Sequence, residues 1–233
     1  MVTTDEISDR AKDGKPPEAT KLLGGGFKEW WLLLVRPMEN YLVENKYHPN
    51  VLTITTLIVS MISGYFFHLG WIFLGGVLIL AGSTFDIFDG RVARAQGLNS
   101  PHGAFFDSCL DRFSEAFIYL GLLSYFRDTY FIYIIFLILS TTTMVSYTRA
   151  RAGALKIDCE VGIMQRTERV VYLGVLSIFN YFGNMLTVYF GFTGKDYLLK
   201  ASLLILLVFS AYTSIQRMSH VLGKLKEREE ETK

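Results

Sequence analysis

Cysteine is scarce: Cys109 and Cys159 are the only two in the chain. Neither a disulfide framework nor the ligand spacing of a zinc site can be assembled from them, and both are expected to be free thiols packed in helices. Charge of one sign is scarce as well. A formal net charge of +1 provides no overall field for nucleic acid, and no nucleic-acid partner is expected. The first 26 residues lack an apolar run; they are polar and charged and end on Gly24, Gly25 and Gly26. They are expected to form a disordered tail without a signal-peptide core. What abounds is apolar side chain: 51% of the 233 residues are hydrophobic and 15% aromatic, with a mean hydropathy of +0.30. Length alone would suit a soluble domain, but apolar runs close to membrane-spanning length recur along most of the chain.

The pattern changes at Phe27. Phe27, Trp30, Trp31, Leu34, Val35, Met38, Tyr41 and Leu42 recur at helical spacing, with Lys28, Glu29, Arg36, Glu39, Asn40 and Glu44 mostly between them. Residues 27–48 are therefore expected to be an amphipathic segment lying in the membrane interface, kinked at Pro37. After His48-Pro49-Asn50 come six apolar stretches, at 51–69, 71–92, 103–126, 130–150, 170–190 and 197–221. Each has about the twenty residues that cross roughly 30 Å of hydrocarbon. The expected fold is an all-α integral membrane protein, six transmembrane helices over residues 49–222 preceded by the interfacial helix. Residues 223–233 form a polar tail whose charges are a solvated face.

The short loops set an orientation. Arg91, Arg94, Arg149, Arg151, Lys156, Arg166, Arg169, Arg217 and Lys224 fall on one side, and only Arg127 and Lys195 on the other. The excess of positive charge places that side, with both tails, in the cytoplasm.

On the same side lies the stretch from Asp86 to Asp111. Asp86 and Asp89 are spaced i, i+3 and Asp107 and Asp111 i, i+4, so on helices each pair shares a face. Four acids at the ends of apolar spans are costly and mutually repulsive, and divalent cations such as Mg²⁺ or Mn²⁺ are the simplest way to hold them ionised. Gly90 and Gly103 admit a ligand close to the backbone, and Arg94 suits a phosphate. Two ions bridged by these carboxylates would clamp a diphosphate, the arrangement of phosphoryl transfer. A purely structural alternative pairs Asp86 or Asp89 with Arg91 or Arg94, which leaves Asp107 and Asp111 underused.

The stretch resembles the signature of the CDP-alcohol phosphotransferase family, D-x2-D-G-x2-A-R-x8-G-x3-D-x3-D. Asp86, Asp89, Gly90, Ala93, Arg94, Gly103, Asp107 and Asp111 match every fixed position. The resemblance extends over about residues 37–220. It implies six spans preceded by an interfacial helix and a homodimer. It also implies attack of an acceptor hydroxyl on the β-phosphorus of a CDP-linked lipid, with CMP leaving. Carried across residue by residue, Asp86, Asp89, Asp107 and Asp111 hold two Mg²⁺ or Mn²⁺, and Asp111 is also the base. Asp89, Gly90, Ala93, Arg94 and Gly103 frame the CDP-lipid. Asn50 and Thr53, from Pro49-Asn50-Val51-Leu52-Thr53, either contact the nucleotide or belong to a helix N-cap.

The acceptor is read from arginines at the ends of spans four, five and six. Arg149 and Arg151 lie in Tyr147-Thr148-Arg149-Ala150-Arg151-Ala152, Arg166 and Arg169 in Gln165-Arg166-Thr167-Glu168-Arg169, and Arg217 follows Gln216. Flanking charge explains lysines such as Lys156 and Lys224; arginines from three helices fit a phosphate on the acceptor. The pattern is similar to the subfamily that makes phosphatidylinositol phosphate, and its archaeal counterparts, from inositol 1-phosphate. It implies acceptor-phosphate binding by Arg149, Arg169 and Arg217, with Arg166 and Arg151 as further candidates. Gly153 departs from it, since many of those relatives carry Glu there. Glycerol 3-phosphate is the alternative acceptor, as in phosphatidylglycerophosphate synthases. A divalent-cation transporter is the reading from another class; it would spread acids through the depth of the membrane, whereas here they gather at one end. Beside the motif's fixed positions, His102 is expected in an exposed loop and Arg112 to pair with a nearby acid such as Glu115.

Overall fold

A computed structural model describes residues 36–191 and 194–231, and among them every regular element is an α-helix. A short helix, α1, covers residues 36–44. Six long helices follow: α2 (Pro49–His68), α3 (Ile72–Ala95), α4 (Pro101–Tyr125), α5 (Phe131–Ala154), α6 (Arg166–Tyr189) and α7 (Tyr197–Glu231). The tail expected at 1–26, the first part (27–35) of the interfacial segment expected at 27–48, and residues 232–233 of the polar tail lie outside the described residues.

Local signals in the sequence set the helix ends. Pro49 opens α2 at a position where its missing N–H costs nothing, and the His48 ring caps it by accepting from the Asn50 amide at 3.2 Å. The cap is thus His48 and not Asn50. Ser100 caps α4, its hydroxyl accepting from the Gly103 amide at 3.1 Å, with Pro101 in the first turn. His102 consequently sits in the first turn of α4, not in a loop, and stacks on Phe106. Gln165 and Glu168 form a reciprocal capping box that starts α6. At the end of α3 the Leu98 amide bonds to the Ala93 carbonyl and the Gly97 amide to that of Arg94. This closure needs the left-handed conformation at Gly97, φ +66°.

The six long helices close a ring in the order α2, α3, α6, α7, α5, α4. Its interior is apolar where Phe67, Ile79, Leu122, Ile138, Leu173 and Leu203 meet. Small residues allow the closest crossings. A Cβ on Gly121 would run into the Gly64 carbonyl oxygen, and one on Gly76 would stand 2.7 Å from that of Gly174. Side chains larger than hydrogen would therefore force α2 from α4 and α3 from α6, the pattern by which membrane helices approach backbone to backbone. The Ser63 hydroxyl, between α2 and α3, is satisfied by the Gly75 carbonyl at 2.8 Å.

Large apolar side chains also cover the outside, among them Tyr65, Phe136, Phe182, Val208 and Ile215. Water would disfavour such a surface and hydrocarbon would not. Five helices are long and apolar enough to cross a membrane: α2, α3, α5, α6 and α7. The expected third span, α4, is not among them. Asp107, Asp111, Arg112 and Glu115 reach past its middle, which leaves a short apolar run after Glu115. Its 25 residues correspond to about 37 Å at 1.5 Å per residue. The acids were read as lying at the mouth of a span; they are built into the body of the helix. Beyond Val221, α7 continues as helix to Glu231, so described residues 223–231 are an extension of the last long helix.

Candidate active site

The four aspartates come from two helices that pack on either side of α2. Asp86 and Asp89 lie on one face of α3, and Asp107 and Asp111 on one face of α4. One carboxylate oxygen from each of Asp86, Asp89 and Asp107 falls within 4.8 Å of the others. Asp89 is fixed by Thr53 of α2, whose hydroxyl donates to Oδ2 at 2.8 Å. Asp107 Oδ1 is buried and has no hydrogen-bond partner among the described residues. Three carboxylates with oxygens this close together, one of them carrying a buried unsatisfied oxygen, fit Mg²⁺ or Mn²⁺.

Asp111 lies outside that trio, held by Arg166 at the start of α6. Arg166 Nη1 donates to both oxygens of Asp86, at 2.8 and 2.9 Å, and Nη2 stands 2.7 Å from Asp111 Oδ1. One guanidinium thus bridges the first and last aspartates of the motif. The structural pairing considered for Asp86 therefore exists with a different arginine. Arg91 instead donates to Glu39 of α1 at 2.7 Å. The acid that Arg112 pairs with is Asp111, at 3.9 Å, rather than Glu115, and it also donates to the Ser108 carbonyl. Glu115 belongs to Arg169, with contacts of 3.0 and 2.8 Å.

Thr53 and Arg94 lie at Asp89 of the trio; Gly90 and Ala93 follow Asp89 on α3, and Gly103 lies one turn before Asp107 on α4. A Cβ on Gly103 would lie 3.9 Å from Asn50 Oδ1, and one on Gly90 3.4 Å from Arg94 Nη1. The Arg94 guanidinium thus folds back over Gly90, within electrostatic range of Asp89.

The acceptor-side arginines are placed unequally. Arg169 is 1% exposed and its Nε and Nη2 both contact Glu115. Arg217 is 3% exposed and donates to the carbonyls of Val161 and Val145, at 2.8 and 2.7 Å. Its charge lies within range of Arg149 and Arg169. Arg149 is open to solvent and 3.9 Å from Glu160. Arg151 is exposed at the end of α5. Nothing lies within 4 Å of where a Cβ on Gly153 would be.

Beside the aspartates, the burial of Glu39 and Glu115 was not visible in the sequence. The signal for Glu39 was its spacing: Leu42 and Val43 follow at i+3 and i+4 and face the protein. The signal for Glu115 was its position one turn beyond Asp111 on the same face of α4.

A metal-ready trio of aspartates between apolar helices defines a membrane-embedded enzyme that works on phosphate esters. The chain belongs to the CDP-alcohol phosphatidyltransferase family, whose model matches residues 46–213. Among curated relatives it is 31% identical over 175 residues to the archaetidylinositol phosphate synthase of Methanothermobacter thermautotrophicus, covering 75% of this chain and 83% of that one. Among solved structures it resembles the phosphatidylinositol phosphate synthase of Mycobacterium tuberculosis crystallised with CDP-DAG bound. That match has a TM-score of 0.67 at 27% identity, covering 79% of this chain and 92% of that one. The same enzyme crystallised with manganese and citrate gives a TM-score of 0.68 at 26% identity, covering 80% and 88%.

Proposed function

We propose that this chain moves the phosphatidyl group of a CDP-linked lipid, CDP-diacylglycerol or CDP-archaeol, to inositol 1-phosphate. The acceptor hydroxyl oxygen forms a bond to the β-phosphorus, the bond from that phosphorus to the bridging oxygen breaks, and CMP leaves with the electron pair. The observation that carries this reading is the convergence of Asp86, Asp89 and Asp107 within 4.8 Å, at the positions where the family places its metal ligands. The acceptor is favoured by the relatives, which carry the names of inositol phosphate-type synthases.

In this reading Asp86, Asp89, Asp107 and Asp111 hold two Mg²⁺ or Mn²⁺, which supply Lewis-acid stabilisation of charge on the pyrophosphate. Asp111 takes the acceptor's hydroxyl proton, and Arg166 holds its carboxylate in place. Asn50, Thr53, Asp89, Gly90, Ala93, Arg94 and Gly103 bind the CDP-lipid. The acceptor phosphate is assigned to Arg149, Arg166, Arg169 and Arg217. Arg149 is the most open of these, and Arg169 and Arg217 contribute charge from buried positions.

The same reading takes α4 as a sixth span, shielded by its neighbours in the ring, with the site and both tails facing the cytoplasm. Support for that side comes from the excess of arginine in the short loops. The described part of the expected interfacial segment, residues 36–48, is taken to lie at the bilayer surface. A homodimer, as the family resemblance implies, would use part of the apolar outer surface.

The test is CMP release by the purified protein with CDP-diacylglycerol and Mg²⁺ against a panel of acceptors. Release is expected with inositol 1-phosphate and not with free inositol or serine. Release with glycerol 3-phosphate alone would reassign the acceptor, and no release with any acceptor would remove the transferase reading. Asp111→Asn is expected to stop release while CDP-lipid binding persists.

A further inference from the structure

Glu39 is the acid that the sequence placed on the polar face of an interfacial helix, and the structure buries it. It is 2% exposed, an unusual state for a glutamate unless it is paired. Its Oε1 accepts from Arg91 Nε at 2.7 Å, and its Oε2 is buried without a hydrogen-bond partner among the described residues. The position is imposed by packing. Leu42 of α1 is buried with Leu52 of α2 and with Phe88 and Val92 of α3. Gln96 at the end of α3 donates to the Tyr47 carbonyl at 3.2 Å.

Arg91 and Arg94 are spaced i, i+3 and share a face of α3. Arg94 lies within electrostatic range of both Glu39 and Arg91. Two guanidiniums on one face repel, and the carboxylate beside them offsets that repulsion. Arg94 Nη1 then lies over Gly90, 3.4 Å from where a Cβ would stand, next to Asp89 and the trio.

We infer that Glu39 is a positioning residue for the CDP-linked lipid, acting through Arg91 and Arg94. It brings the helix before the first span into the substrate site. It holds the two arginines as a pair, so that Arg94 stays over Gly90 where a phosphate of the nucleotide would meet it. The inference rests on the proposed assignment of Arg94 to the CDP-lipid.

Glu39→Gln keeps the side-chain shape and an oxygen for Arg91 Nε but removes the charge. It is expected to raise the KM for CDP-diacylglycerol about tenfold while the acceptor KM changes less than about twofold, because only one substrate's binding is touched. In an Arg94→Ala background the same change is expected to add nothing further, since residues that act through one another are not additive. A merely structural role would move both KM values together or add in full to the Arg94 effect, and either result overturns the inference. Arg94→Ala with an unchanged KM for CDP-diacylglycerol would instead remove the assignment of Arg94 on which the inference rests. Should Glu39→Gln not fold, Glu39→Asp, which draws the carboxylate back out of reach of Arg91 Nε, is measured in the same way. A KM for CDP-diacylglycerol equal to that of the unaltered protein would overturn the inference there too.

Discussion

Arg166 Nη2 stands 2.7 Å from Asp111 Oδ1 while Nη1 of the same side chain holds both oxygens of Asp86. A rigid fork is what makes this bridge possible, because its nitrogens diverge at a fixed angle and reach acids on two helices at once. Arg166→Lys keeps the charge and loses the fork. A single ammonium can serve one carboxylate well and not both. One charge-assisted hydrogen bond is worth about 1.5–3 kcal/mol, so kcat/KM is expected to fall roughly 10- to 100-fold at saturating metal. Full activity in the Lys variant would show that the bridge does not position Asp111.

The hydroxyl of Thr53 donates to Asp89 Oδ2 at 2.8 Å, which orients that carboxylate toward the trio. Groups that orient a metal ligand typically account for about 10- to 100-fold in metal affinity. Thr53→Val is isosteric and cannot donate. Mn²⁺ titration followed by electron paramagnetic resonance is expected to show affinity lowered about tenfold, with Thr53→Ser restoring most of it. Unchanged Mn²⁺ affinity in the Val variant would place Thr53 on the nucleotide side alone.

The motif made the aspartates legible because its helical spacing fixes which acids share a face, and α3 and α4 present those faces to each other beside α2. The long helices were legible because hydropathy averages over a window, and α4 falls below that average because its four ionisable residues break the average without breaking the helix. The partners of the arginines were not legible. Arg166 reaches Asp86 across 80 positions and Arg169 reaches Glu115 across 54. Only the ring order of the helices brings such residues together, and local spacing carries no trace of it. Spacing within one helix pointed Arg112 at Glu115, and the tertiary arrangement overrode it.

Glu115 and Arg169 form a pair with both side chains almost fully enclosed, 8% and 1% exposed. Breaking such a pair leaves a buried charge unpartnered, at a cost of about 3–5 kcal/mol, whereas replacing both members with apolar side chains is often neutral. Glu115→Gln is expected to lower Tm sharply. The double variant Glu115→Leu with Arg169→Met is expected to recover most of that loss. If the recovered variant also shows an unchanged acceptor KM, Arg169 acts in the scaffold and its assignment to the acceptor phosphate is withdrawn.

At the far end of the ring, Asp196 ties the loop between α6 and α7 to the bundle. Asn180 and Asn184 donate to its Oδ1 at 2.6 and 2.8 Å, and Tyr125 donates to its Oδ2 at 2.6 Å. Burial pushes its carboxyl up, but the hydrogen bonds from Tyr125, Asn184 and Asn180, with the charge of Lys200, outweigh that and hold it below the ordinary aspartate range. A group whose folded pKa lies below its unfolded value contributes stability that is complete above the unfolded value and is lost as pH falls through the folded one. The contribution of Asp196 is therefore expected to be constant at neutral pH and to fade below about pH 4, where an unfolded aspartate takes up its proton. Asp196→Asn keeps a residue tolerant of the positive φ of 60° at this position, but its amide meets donors with a second donor. It is expected to cost about 2 kcal/mol at pH 7 and to flatten the acid limb of a stability-against-pH curve measured in detergent. An acid limb as steep in the variant as in the unaltered protein would assign that titration to other carboxylates.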